Sequence, residues 1–217
     1  MNEREIISKT MTNMYNIYLD VARVINVIED EVKNKNLISI SSDSNTMWEN
    51  SSSYFKPDGW LPSWFARVYQ EQKQDLRAVG FCIHLGGERC NNYYQDFLIP
   101  LKIPFPFINI SLIETETDIT KIKRPSLNNI FWGAGWCNQD SVNSIEHNSI
   151  VYSEDDSIVS KVRLTTYFID LLELNTKEKI DQMVVTPMVK LLGGDEEWII
   201  ENNIPILHLE DISPSEE

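Results

Sequence analysis

Basic residues are the first scarcity. Lys and Arg total 19 against 33 Asp and Glu, a net charge of −14 over 217 residues. Nucleic-acid binding rests on neutralising phosphates with Lys and Arg. No basic run of five or more occurs here. Neither nucleic acid nor an anionic membrane surface is therefore an expected partner. Cysteine is scarce too. Cys82, Cys90 and Cys137 are odd in number and widely spaced, which excludes a disulfide scaffold and predicts reduced thiols. No stretch approaches the roughly 18 apolar residues of a membrane span. The polar start, Met1 to Glu5, carries no export signal, so a cytoplasmic chain is expected.

Motifs are missing as well. There is no G-x-S-x-G, no phosphate-binding loop, no dinucleotide fingerprint and no H-E-x-x-H. No cofactor is expected. The pair Asp58 and Glu71-Gln72-Lys73 matches the spacing of a metal-dependent nuclease site. Its Glu71 segment, however, follows a stretch with helical spacing where that chemistry needs a strand. Cys82 and His84 lie two residues apart and would share one face of a strand. With Cys90 they are the residues nearest to a metal set, but the close ligand pairs of a structural zinc site are absent, and no metal is expected. The same residues would need an electropositive setting to act as nucleophile and base. Only Arg89 is adjacent in sequence.

What is present describes one globular domain. Hydrophobic residues make up 42% and charged residues 24%, near globular norms. A length of 217 residues suits one domain, expected over 1–210, with 211–217 a flexible acidic tail. Eight acids and no Lys or Arg fall between Asp195 and Glu217. Ile and Asn number 26 and 19, a bias toward A/T-rich codons that points to a bacterial or phage source.

The clearest element is the first. Ile7, Met11, Met14, Tyr18, Val21, Ile25, Ile28 and Val32 recur at alternating spacings of four and three, one face of a long helix. Asn2 and Glu5 form a capping box on paper, and Asn34 or Asn36 ends the helix. Ile17, Ala22 and Val24 widen the stripe, which favours packing on a core. The spacing also fits a homodimer seam over Ile7–Val32. Pro62 predicts a second helix carrying Leu61, Phe65 and Val68 and ending near Gln74. Strands follow: Arg77 to Leu85, an edge strand over Phe97 to Ile103 limited by Pro100 and Pro104, Phe107 to Ile113, Ile150 to Tyr152, and Val162 to Phe168. A helix with Ile180, Val184, Met188 and Leu191 is interrupted by Pro187 and closed by Gly193-Gly194. A short helix over Asp195 to Asn202 and a strand over Ile204 to Leu209 end the pattern. Adjacent strands predict α+β, with a mostly antiparallel sheet of about five to six strands packed by a long N-terminal helix and a C-terminal helix.

Tryptophan completes the inventory. Trp60 and Trp64 sit in an aromatic cluster, and Trp132 and Trp136 flank Gly-Ala-Gly. Aromatic side chains are enriched at partner interfaces. With the acid excess, these four residues point to a non-catalytic interaction protein (inhibitor, immunity-type or adaptor) that binds a basic protein partner. Two other readings remain: a hydrolase or nuclease whose site is scattered along the chain, and a dimeric scaffold subunit.

Overall fold

The computed structural model describes residues 2–40, 48–49, 64–72, 76–85, 106–119, 142–146, 150–155 and 161–207. Helix α1 runs Glu3–Asn34. The sheet comprises β1 (Leu37–Ser39), β2 (Trp48–Glu49), β3 (Trp64–Glu71), β4 (Arg77–His84), β5 (Phe107–Thr115), β6 (Val142–Glu146), β7 (Ile150–Asp155) and β8 (Val162–Asp170). Helices α2 (Lys177–Ile180), α3 (Thr186–Leu192) and α4 (Glu197–Glu201) close the described chain. The order across the sheet is β1-β3-β4-β5-β8-β7-β6, with β2 also on β3. Every pairing is antiparallel. The architecture is α+β, with helices at both ends of the chain packed on an antiparallel sheet. Among the described residues, no helix is long and apolar enough to cross a membrane.

The capping box is real. Asn2 Oδ1 accepts from the Glu5 amide at 3.0 Å, and the Asn2 amide donates to Glu5 Oε2 at 3.0 Å. Asn36, at φ 61°, takes the left-handed turn that ends α1. One face of the sheet carries Tyr69, Val79, Phe81, Ile83, Ile108, Ile110, Leu112, Tyr167 and Ile169. Against it pack Val21, Ile25, Ile28 and Val32 of α1, with Met183, Val184, Met188 and Leu191 from the C-terminal helices. The bulky side of β4 thus meets the helices, while its small residues Ala78 and Cys82 belong to a second cluster with Ala66, Val68, Ile113 and Leu164.

Two expectations fail. Trp64 to Glu71 is a strand, not a helix. Ala66 and Val68 are buried on one face and Arg67 and Tyr69 on the other. A strand buried on both faces loses its alternation, so Phe65 and Val68 mimic a helical spacing, although Trp, Phe, Val and Tyr favour a sheet. Residues 204–207 are not a strand either. The Leu207 amide donates to the Phe168 carbonyl at 2.8 Å and Ile204 and Ile206 pack against the core, while His208 and Leu209 of the expected strand lie outside the described residues. The edge strand over Phe97 to Ile103 and the tail 211–217 lie outside the described residues.

Pro187 interrupts its helix as its chemistry demands. Asp181–Val185 is a wide π turn between α2 and α3. A proline cannot serve the carbonyl four residues before it. That carbonyl, on Met183, accepts from Tyr167 Oη at 3.3 Å. At the other end of α3, Gly194 adopts φ 81°, and Arg77 Nη1 donates to the Leu192 carbonyl at 3.1 Å, a cationic cap on the last turn.

The split of α1 into a docked and an undocked half generates a test. Ile28 is fully buried, so Ile28→Ala costs about 2–5 kcal/mol in a denaturant titration. Removing residues 2–13 shifts the melting temperature only slightly. Removing the chain through Lys35 leaves no folded protein, because the buried half of α1 goes with it.

Candidate functional site

The N-terminal half of α1 breaks the usual rule for large apolar side chains. Ile6, Ile7, Met11, Tyr15 and Ile17 are 48%, 57%, 60%, 64% and 49% exposed. Surface apolar residues scattered singly need no account, but a contiguous set marks a contact site. At about 1.5 Å per residue, the stretch from Glu3 to Ile17 is roughly 22 Å of helix. Tyr18 marks where the helix meets the body, its ring edge-on to Phe65 at 6.1 Å and 79°. From Val21 onward the same face is buried.

A groove of about 500 Å³ opens beside this junction, between α1 and the segment after β8. Its walls include Ile17, Val21, Val24, Leu171, Leu172 and Ile180. Leu172 is 67% exposed. Asp20 and Arg23 form an exposed ion pair at 2.6 Å on its rim. Lys177, also on the rim, reaches Glu31 at 2.7 Å. That bond lowers the Glu31 carboxyl and raises the Lys177 ammonium from their ordinary values. Ile17 belongs to both arm and groove, so the two are one apolar surface.

Two of the three residues nearest to a metal set, Cys82 and His84, do share a strand face, and both are buried. The structure gives His84 another use. Its Nε2 lies 3.0 Å from Asn109 Oδ1, and an amide oxygen only accepts, so the ring donates there. The imidazole stacks on Phe107 at 4.4 Å and 5°. Asn109 Nδ2 donates to Ser111 Oγ at 3.3 Å, and Ser111 Oγ meets Thr166 Oγ1 at 2.8 Å. This chain of polar groups crosses β4, β5 and β8 inside the sheet. Burial pushes the imidazole down to about 4, against the opposing effect of the Asn109 bond. Stacked on Phe107 and bonded to Asn109, the ring has a structural part in the sheet. Among the described residues, no three His, Cys, Asp or Glu side chains gather to hold a metal. Cys90 lies outside the described residues.

A second buried polar group escaped sequence reasoning. Arg67, 5% exposed, faces α1 from β3. Its Nε is 3.0 Å from Glu29 Oε1. Tyr69 Oη donates to the same oxygen at 2.8 Å. The Arg67 contact is an ion pair without a directed hydrogen bond, and its Nη1 makes none either. Burial, then the Glu29 charge, raises the Tyr69 phenol far above its ordinary value. Glu29 and Arg67 are distant in sequence and match no motif, so only the packing of α1 on β3 reveals them.

The remaining candidates are quickly placed. Trp60, Trp132 and Trp136 lie outside the described residues, and Trp64 stands on β3 opposite His84 in the β4 register. Glu71 is the last residue of β3 and half-buried, and Gln72 is already an exposed turn residue, so only Glu71 has the strand setting that the nuclease spacing needs. Pro57, Asp58 and Lys73 lie outside the described residues. No known protein family matches the chain, and no curated protein and no solved structure matches it either.

Both buried groups carry tests. Unfolded His84 titrates near 6.5 and folded His84 near 4. Between those values the unfolded chain binds the extra proton, so stability rises with pH across the window. About 3 kcal/mol is present above 6.5 and lost as pH falls toward 4. Denaturant titrations at several pH values measure it, and His84→Gln flattens that part of the profile. Glu29→Ala strands a buried guanidinium and costs about 3–5 kcal/mol. Replacing both partners, Glu29→Leu with Arg67→Met, is neutral or stabilising in the same titration.

Proposed function

We propose that this chain is a non-catalytic interaction protein of the cytoplasm, of inhibitor, immunity or adaptor type, and that the α1 arm with its groove is a protein-docking surface. The observation that carries this reading is the capped helical arm with Ile6, Ile7, Met11, Tyr15 and Ile17 open to solvent. Leaving such side chains in water forgoes roughly 25 cal/mol for each Å² that a partner would cover. Docking that covers an amphipathic helix is a common recognition mode, read as anchors three and four residues apart. The groove supplies a concave extension of the same apolar surface.

The excess of acids supports a basic protein as a further partner, with Trp60, Trp64, Trp132 and Trp136 as its aromatic anchors. Asp195, Glu197 and Glu201 are exposed, and such charges speed the approach of a basic surface.

A photo-crosslinking amino acid placed at Tyr15 tests the docking surface in the native host. The expected result is a protein adduct of discrete mass, absent when the same group replaces the exposed Asp30 on the far part of α1. No adduct, or a diffuse smear equal at both positions, defeats the reading.

A further inference from the structure

Resting on that reading of the arm as a docking surface, we infer that its occupant is a second copy of this chain. The two arms pack antiparallel about a two-fold axis between residues 12 and 13. Three observations lead there. The first is spacing. Ile7, Met11, Met14 and Tyr18 are separated by four, three and four residues, a pattern that reads the same in both directions. Reversed against itself, Ile7 of one copy faces the partner's Tyr18, and Met11 faces the partner's Met14. Closed two-fold contacts require this self-complementarity. The 4–3 alternation is that of helices packed side by side, and Val21, Ile25, Ile28 and Val32 continue it into the body of the chain, where the sheet covers it. Upstream of Tyr18, Ile7 and Met11 on that face are exposed and Met14 is half-buried, which leaves room for another surface.

The second observation is charge. Two copies at −14 each repel over most approaches. From Ile6 to Leu19 the sole charged residue is Lys9. Lys9 is off the Ile7–Tyr18 seam, so two arms meet without acid facing acid along it. A basic partner would gain little from this neutral stretch, whereas an identical acidic chain has every reason to approach through it.

The third is the groove. In the antiparallel register the partner's Ile6 lies opposite Leu19, and its first turn falls beside Val21. The apolar groove between α1 and Leu171–Ile180 opens at that point. The Asp20–Arg23 pair on its rim then comes beside the partner's Arg4 and Glu5, with both signs of charge on each side. Arm and groove thus become reciprocal parts of one interface.

Light scattering on the purified full chain across a dilution series tests the inference. The expected wild-type mass is twice 25.2 kDa, and Ile7→Glu with Met11→Glu yields a folded monomer whose melting temperature no longer depends on protein concentration, since both sites are exposed on the single chain. Mixing Met11→Cys chains with Met14→Cys chains under oxidation is expected to link residue 11 of one to residue 14 of the other, mapped by mass spectrometry. Preferential linkage of Met11→Cys chains to each other overturns the antiparallel register. A dimer that survives the double Glu variant overturns the arm as its interface. A wild type that is monomeric at every concentration overturns the second copy. Hydroxyl-radical oxidation of Met11 in that monomer then separates the two readings. Free oxidation leaves the docking surface standing for a different protein, and protection removes both.

Discussion

Everything in this molecule depends on four side chains of one helix. Val21, Ile25, Ile28 and Val32 share one core with the bulky face of the sheet, where α1 meets β1, β3 and the π turn Asp181–Val185. That contact sets where α1 lies, and α1 in turn sets one wall of the groove. It also decides where helix packing stops. An isolated helix of fifteen or so residues is marginal in water. The arm ahead of Tyr18 is held by its continuity with the docked half and by the Asn2–Glu5 cap, so an apolar stripe stands outside the core in an ordered form.

The sheet beneath is built to accept helices on one side without becoming a uniform slab. Phe81 and Ile83 on β4 alternate with Cys82 and His84. On β5, Ile108, Ile110 and Leu112 alternate with Asn109 and Ser111. The small and polar residues share a face and bond across strands. A buried polar chain is costly if slipped by one residue, since every member then loses its partner. His84, Asn109, Ser111 and Thr166 therefore act on register. Arg67 and Glu29 do similar work between layers. An ion pair at that depth adds little net stability, but it ties α1 to β3 at one position along the helix.

The C-terminal helices obey a local rule with a long-range remedy. Pro187 lacks the N–H that a regular helix would direct at Met183, and the chain widens into a π turn. Tyr167, from the middle of β8, reaches that carbonyl. A sequence pattern announces the interruption at Pro187 but not the tyrosine that answers it, because the two are joined only when β8 and the helices stack.

The same division runs through the whole chain. Local chemistry was legible in the residues themselves. The cap at Asn2, the stop at Asn36, the 4–3 stripe of α1, the strands at β4, β5 and β8 and the break at Pro187 each depend on neighbours within a few positions. These were enough for the α+β class. Contacts between distant segments were not legible. β3 read as a helix because burial on both faces erased its alternation. The Arg67–Glu29 pair, the His84–Asn109–Ser111–Thr166 line and the groove beside Val21 join residues that no spacing rule connects. The candidate docking surface shows the boundary most clearly. Its stripe is written in the sequence as one unbroken face from Ile7 to Val32. Only the tertiary structure decided that the sheet and the C-terminal helices cover half of it, because the area beneath a helix is set by the elements that pack there, not by the helix.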